Sequence, residues 1–434
     1  MPSQPHINMN NSTICAISTA KGGAIGIIRT SGPDAISITD AIFQGKHRLA
    51  EVKPYTMHFG EIRDNGTLID EVLVSVYRAP HSYTGEDSTE ISCHGSAYIL
   101  QRIIELLLQH GCMMAQPGEY TQRAYLNGKM DLSQAEAVAD LIASRNASTH
   151  KIAMQQMKGG YSTKLNELRN QLLEMTSLLE LELDFSEEDV EFADRQKLIQ
   201  LAENIHQEIS RLTHSFQLGN AIKNGVPVAI IGAPNVGKST LLNALLRDDR
   251  AIVSDIQGTT RDIIEDTITL HDITFRFIDT AGIRRTTDTI EQMGIERSIK
   301  AAEKAQIILL ITEPGIPYPD MPIRQDQTVI RIVNKTDQFQ ALHHIGLQAL
   351  EDQLVAAVPH NDDDLLVTNL RHFEALTQAN TDIQRALNSL HLNLSGDLVA
   401  EDLRQCLTHL GQILGQITTD EVLGNIFKNF CIGK

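Results

Sequence analysis

The chain has 434 residues, enough for two to four domains at roughly 100–200 residues each. Its hydrophobic content of 42% and charged content of 21% are those of a globular protein, and its net charge of −18 excludes nucleic-acid affinity built on an overall excess of Lys and Arg, leaving only a local patch. The cysteines Cys15, Cys93, Cys112, Cys406 and Cys431 are odd in number and form no C-x-x-C pair, which argues against a disulfide framework or a zinc site. No basic leader precedes an apolar core, and no window approaches the roughly 18 apolar residues of a membrane span. The expectation is a soluble, cytoplasmic protein with no membrane partner.

Up to about Leu126 the texture is α+β. Apolar runs at 24–28 and 72–77 read as strands, and 99–108 reads as a helix. From about Asn127 to Asn220 no proline occurs, and no glycine falls between Gly160 and Gly219. Leu165, Leu168, Leu172, Leu173, Met175 and Leu179 recur at three- and four-residue steps, which predicts long helices. The acidic stretch 184–191 reads as a break, with Asp194 a candidate cap for the next helix. From Val226 onward, short β-rich runs at 226–231, 273–278, 307–311 and 329–333 alternate with helical segments, the pattern of a parallel sheet in an α/β domain. After about Leu365 the chain reads as helical. A helical segment on each side of an α/β domain implies that the latter is inserted into a helical domain.

The α/β segment carries three motifs in order. Gly232-Ala233-Pro234-Asn235-Val236-Gly237-Lys238-Ser239 matches G-x-x-x-x-G-K-[ST], between a strand and a helix that begins near Thr240. Its glycines let backbone N–H groups wrap phosphates, Lys238 brings charge to the β- and γ-phosphates, and Ser239 reaches Mg²⁺. Asp279-Thr280-Ala281-Gly282 follows the second strand; a carboxylate there suits indirect Mg²⁺ coordination, and the Gly282 N–H can meet a γ-phosphate. Asn334-Lys335-Thr336-Asp337 follows the fourth strand, and the Asp337 carboxylate can accept from the N1–H and 2-amino pair that guanine presents and adenine does not. Between the first two motifs, Gly258-Thr259-Thr260-Arg261-Asp262 offers a threonine for the Mg²⁺ shell. Together these residues predict GTP/GDP binding and hydrolysis.

Many such enzymes orient the attacking water with a Gln just after D-x-x-G. Ile283 occupies that position and cannot do so. Arg284, Arg285 and Glu291 are nearby candidates, each more readily read from position alone as a solvated loop charge. Asn235 can coordinate a cation beside the phosphates or hydrogen-bond within its own loop.

These residues resemble the MnmE (TrmE) family of tRNA-modification GTPases. The resemblance rests on G-A-P-N-V-G-K-S-T, G-T-T-R-D and D-T-A-G-I-R. It extends to Ala24–Gly32 (A-I-G-I-I-R-T-S-G), Tyr83-Thr-Gly-Glu-Asp87, the P-G-E-Y-T-Q-R-A run from Pro117, the N-G-K-M-D-L-S-Q-A-E-A run from Asn127, and the tail Cys431-Ile-Gly-Lys434. It covers nearly the whole chain. It implies a multidomain α/β fold: an N-terminal α+β folate-binding and dimerisation domain (1–126), a discontinuous helical domain (127–221 and 366–434), and an inserted Ras-like P-loop GTPase domain (222–365). It implies that a homodimer works with an FAD-dependent MnmG (GidA) flavoprotein in a heterotetramer-like complex, the FAD lying on the partner. Together they build a 5-carboxymethylaminomethyl or aminomethyl group on the wobble uridine of certain tRNAs. The one-carbon donor is a tetrahydrofolate derivative of the 5,10-methylene or 5-formyl type.

The resemblance also implies residue roles. Asn235, Ser254, Ile256 and Thr259 match a K⁺ site, Ser239 and Thr260 the Mg²⁺ ligands, and Glu291 the water-orienting glutamate, with Lys238 the catalytic lysine. The nucleotide contacts extend over Val236, Gly237, Thr240, Asp255, Gln257, Gly258 and 279–282. Arg29, Glu90, Lys129 and Lys434 match folate-contacting positions, and Cys431 a tail cysteine of the modification chemistry.

The sequence departs from the family after Asp337. A last strand and an S-A-K-like loop are expected there, and a helix-like stretch at 341–358 follows instead, so the GTPase domain reads as shortened. Ser96 stands where a second glycine is usual, and Arg285 where an acidic residue is common. Two alternative readings stay open: a catalytically weakened scaffold for folate, tRNA or the flavoprotein, and a ribosome-assembly GTPase.

Overall fold

The computed structural model of the chain describes residues 12–20, 22–144, 146–184, 195–247, 266–271, 273–278, 299–325, 327–358, 365–428 and 430–433. It divides into two compact units. The first comprises Met1–Ala143, Gln156–Asn170 and Leu410–Lys434, the second Ser144–Gln155 and Gln171–His409.

The first unit is built on a seven-stranded sheet: β1 (Ile14–Ile17), β2 (Ile25–Ser31), β3 (Phe43–Gly45), β4 (Thr56–Asp64), β5 (Thr67–Tyr77), β6 (Ser88–His94) and β7 (Met113–Met114). Their spatial order is β3-β4-β5-β6-β2-β1-β7. Only the β1–β7 pair is parallel. In β5, Val72, Val74 and Val76 are buried and the residues between them are not, the two-residue alternation of a sheet with one covered face. Helices α1 (Ala35–Ile42) and α2 (Ala97–Gln109) supply the cover. Leu100, Ile103, Ile104 and Leu107 of α2 recur at helical spacing and pack with Ile28, Val74 and Ile91. Alternation turns Arg29 and Glu90 to the opposite face, where they are direct cross-strand partners of β2 and β6.

After the sheet come α3 (Glu119–Leu126), α4 (Leu132–Ala143), α5 (Ala147–Met157), α6 (Gly160–Asp184) and α7 (Arg195–Asn224). The long helices expected between Asn127 and Asn220 are thus present.

The second unit holds a five-stranded sheet of β8 (Val226–Ile231), β9 (Asp266–Leu270), β10 (Ile273–Phe277), β11 (Ile307–Thr312) and β12 (Thr328–Val333). The order is β12-β11-β8-β10-β9, with every pair parallel except β9–β10. All six residues of β11 are buried, as an apolar run in a parallel sheet requires. Helix α8 (Lys238–Arg247) follows β8, α9 (Leu347–Ala356) follows β12, and α10 (Leu370–His391), α11 (Gly396–Leu414) and α12 (Asp420–Phe427) follow in turn. Of these, α12 and the end of α11 from Leu410 on belong to the first unit. Asn369 caps α10 by accepting the Arg371 N–H. Gly219 on α7 lets the chain before α10 come close, since a Cβ there would lie 2.2 Å from the Val367 carbonyl oxygen.

The strands at 226–231, 273–278, 307–311 and 329–333 are found within a residue or so of their expected positions, and β9 was not foreseen. The stretch 341–358 is not one helix. A 3-10 turn at Ala341–His343 is separated from α9 by His344 and Gly346, both at positive φ (57° and 76°), and Gln340 pairs with Ile345 across the break. Among the described residues the sheet ends at β12, and no helix is long and apolar enough to cross a membrane.

Ile91 is fully buried beneath α2. Replacing it with Ala should lower stability by roughly 2–5 kcal/mol, read as a shift of the denaturation midpoint. A shift no larger than that of Leu68→Ala on the exposed end of β5 would contradict this packing.

Candidate functional site

In the second unit, β8 lies between β11 and β10, so the strand order reverses on its two sides. Ligands of such sheets bind beyond the carboxyl end of the strand at this switch point, and here that end runs into Gly232–Gly237 and then α8. Any side chain at 232 would bring a Cβ to 2.2 Å from the Ile311 carbonyl oxygen. At Gly237, φ is 96° and a Cβ would lie 2.4 Å from the Asn334 amide nitrogen. Asn235 also adopts a left-handed conformation, φ 62°, which Asn tolerates better than other side chains. Lys238 bridges the loop, its Nζ donating to the carbonyls of Gly232 and Ala233 at 2.8 Å each. Burial pushes its pKa down from the ordinary lysine value. Ser239 and Thr240 open the first turn of α8, where N–H groups and the helix dipole favour an anion.

Asn334, at the end of β12, is joined to this loop. Its Nδ2 donates to the Val236 carbonyl at 2.9 Å, its Oδ1 accepts the Ala341 N–H at 3.1 Å, and its own N–H reaches the Thr312 carbonyl at 2.8 Å. The Lys335 ammonium lies 2.5 Å from Glu313 Oε1. Asp337 is exposed at the tip of the turn that follows. The structure therefore brings the first and third motifs together. Ser254, Asp255, Ile256, Gln257, Gly258, Thr259, Thr260, Asp279, Thr280, Ala281, Gly282 and Glu291 lie outside the described residues. Sequence reading missed the Val236 carbonyl, the Ala341 N–H and Glu313; the first two are backbone groups, to which residue type gives no clue.

In the first unit, Arg29 donates twice to Glu90 Oε1, at 2.9 Å from Nε and 2.7 Å from Nη2. Its guanidinium carbon lies 5.7 Å from the ring centroids of both Tyr83 and Tyr120, within cation–π range. Tyr120 Oη donates to the Arg29 carbonyl at 2.7 Å. Burial, followed by the Glu90 carboxylate, raises the pKa of Tyr77, and burial raises that of Tyr83. Lys129 Nζ donates to the Pro80 carbonyl at 2.9 Å. The loop between β5 and β6 thus touches Lys129 through Pro80 and Arg29 through Tyr83. The tail returns to the same unit: Gly118 N–H meets the Cys431 carbonyl at 3.4 Å, and Ser18 Oγ meets that of Gly433 at 3.3 Å. Lys434 lies outside the described residues. All five cysteines are free thiols, with Cys431 exposed and the other four buried. Burial pushes Cys93 up to about 11 and raises Cys406 as well.

A strand, a glycine loop and a helix at the switch point of a largely parallel sheet define a phosphate-binding α/β protein, carried in one chain with a second unit built on a largely antiparallel sheet. The family profile described as "GTP-binding protein TrmE N-terminus" matches residues 13–129, and that described as "MnmE helical domain" matches 132–431. A relative from Bacteroides thetaiotaomicron named tRNA modification GTPase MnmE is 55% identical over 466 positions, covering 98% of this chain and all of the relative. Proteins of the same name from Parabacteroides distasonis and Cytophaga hutchinsonii are 54% identical (98% of this chain, 100% of the relative) and 46% identical (99% of each). The chain belongs to the MnmE (TrmE) family. The Bacteroides alignment has 466 positions against 434 residues, so at least 32 positions have no counterpart here.

A phosphate group set against Lys238 favours its ammonium form and raises the pKa that burial lowers. Between the free and bound values, nucleotide binding takes up a proton, so affinity falls as pH rises through that window. Calorimetry at alkaline pH in buffers of differing ionisation enthalpy should show the uptake; heats independent of buffer would remove Lys238 from the phosphate site. Maleimide should label Cys431 in the native protein and leave Cys15, Cys93, Cys112 and Cys406 unmodified. Rapid labelling of any of those four would contradict their burial.

Proposed function

We propose that the chain is a K⁺-dependent GTP hydrolase acting in modification of the wobble uridine of tRNA. The observation that carries the nucleotide part is the buried Asn334 amide, which ties the phosphate loop to the segment bearing Asp337. With that tie, a nucleotide whose phosphates lie on the 232–239 loop has its base within reach of a carboxylate that accepts from guanine. The relatives' shared name, tRNA modification GTPase, supports the same assignment.

Lys238 would hold the β- and γ-phosphates, and Asp337 would select guanine. The Ser239 hydroxyl at the start of α8 and the Asn235 carboxamide in the loop before it are oxygen donors of the kind hard cations take. Ser239 with Thr260 would hold Mg²⁺; Asn235 with Ser254, Ile256 and Thr259 would hold K⁺. When bound, these ions supply positive charge where negative charge develops on the transferring phosphoryl group. The Ile283 side chain has no polar atom to aim a water, and Glu291 would take that role, as the family resemblance implies.

In the first unit the carboxylate of Glu90 suits the N–H and 2-amino edge of a pterin, and Arg29 and Lys129 suit the pterin carbonyl and the carboxylates of a folate's glutamyl tail. This donor set fits a tetrahydrofolate one-carbon donor of the 5,10-methylene or 5-formyl type, with Lys434 as a further contact. The exposure of Cys431 supports its access to the modification chemistry. We assign the flavin to an MnmG (GidA)-type partner, the working form to a homodimer joined with it, and the domains to 1–126, 127–221 with 366–434, and the inserted Ras-like GTPase domain at 222–365. One observation favours a weakened scaffold instead: among the described residues the sheet ends at β12.

GTP turnover measured in KCl and in NaCl decides between them. The hydrolase reading expects stimulation by K⁺ of roughly tenfold or more, lost in Asn235→Ala, since positive charge set against the transferring phosphoryl group lowers the barrier, and an arginine finger in that role is worth about three to five orders of magnitude. Slow turnover, equal in both salts and unchanged by the substitution, would leave the scaffold.

A further inference from the structure

The turn that carries Asp337 is closed by its own residues. Thr336 N–H donates to the Phe339 carbonyl at 3.0 Å, and Phe339 N–H donates back to Thr336 Oγ1 at 3.0 Å. Asp337 and Gln338 are the two residues between. The Thr336 hydroxyl also faces the Val333 carbonyl, 3.3 Å away at the last residue of β12. On the far side the chain doubles back through the Gln340–Ile345 pair. Gly346 then passes so close that a Cβ there would lie 2.6 Å from the Gln338 carbonyl oxygen. Asp337 is therefore held from both flanks within eleven residues, Thr336 to Gly346, while β12 is the edge of the sheet among the described residues.

We propose that Thr336 is a positioning residue for base selection: its hydroxyl fixes the Asp337 backbone so that the carboxylate meets both the N1–H and the 2-amino group of guanine. This rests on the guanine-nucleotide reading above. The hydroxyl is needed both as acceptor and as donor. Valine keeps the shape and loses both bonds, whereas serine keeps both. A turn freed at Thr336 still carries a carboxylate but no longer aims it at two donors at once. Asn334 holds the phosphate loop through separate bonds, so phosphate binding does not depend on Thr336.

The test compares the dissociation constants of GDP and inosine diphosphate, which lacks the 2-amino group, for the full chain and its variants. The wild-type protein should prefer GDP by roughly ten- to a hundredfold, the range for a hydrogen bond to a charged group. Thr336→Val should reduce that ratio to near one while leaving inosine diphosphate affinity within about twofold, and Thr336→Ser should restore it. Gly346→Ala, which presses on Gln338 from the other flank, should lower the ratio in the same way. A Thr336→Val protein that keeps the wild-type ratio overturns the proposal. So does one that loses both nucleotides equally, since the role is then only structural. A wild-type protein with no preference for GDP over inosine diphosphate would instead remove the guanine reading itself, and the proposal with it.

Discussion

A buried carboxamide left with an unpaired donor or acceptor costs roughly 1–3 kcal/mol, and Asn334 is only 4% exposed. Its two polar atoms must therefore find partners, and they find them on Val236 and Ala341. This requirement fixes much else. Val236 lies in the phosphate loop, 98 residues before Asn334, so the loop and the end of β12 must be adjacent. Position 237 must lack a side chain because the amide nitrogen already fills that space. The Ala341 N–H must point back to the strand end, which requires the chain to turn at once after Asp337. The loop geometry, the glycine and the turn follow from satisfying one side chain.

The first unit follows a similar logic with charge. Arg29 is held on three sides: Glu90 accepts its guanidinium, the rings of Tyr83 and Tyr120 lie near its carbon, and Tyr120 also takes its backbone carbonyl. In the same unit, Arg123 is 2% exposed and is neutralised by Glu86 and Glu119, with further bonds to Ser12. A buried guanidinium without such partners would cost several kcal/mol. Glu86 sits in the same loop as Tyr83, so the ion pair that secures the loop also sets the ring against Arg29.

Much of this was legible in the sequence because it depends on residue type. The run from Gly232 to Ser239 announces a phosphate loop through glycines whose Cβ would collide with backbone or amide, and the structure shows those collisions. The apolar runs of β8 and β11 read as strands because parallel strands are buried on both faces. The pairing of Arg29 with Glu90 was not legible from spacing, since register between β2 and β6 sets it. The break at 341–346 was missed because Ala341–Val358 has largely helix-forming composition. Two positive-φ residues, His344 and Gly346, and one bridge override that preference; Gly346 was the available signal, whereas His344 does not advertise a turn.

Among the described residues the sheet ends at β12, yet the turn that carries Asp337 is closed by bonds of its own. β11 and β8 form the buried centre of the sheet, whereas β12 exposes Thr328, Arg331 and Val333 and buries only Ile330 and Ile332. A charged residue on such an edge discourages pairing with another strand. The turn that carries Asp337, by contrast, is closed by short-range bonds between Thr336 and Phe339 and by the close approach of Gly346 to Gln338. Short-range closure orders few residues and so costs little chain entropy, and it does not depend on any neighbouring strand. The turn proposed to select the base is thus closed independently of β12, the edge strand among the described residues.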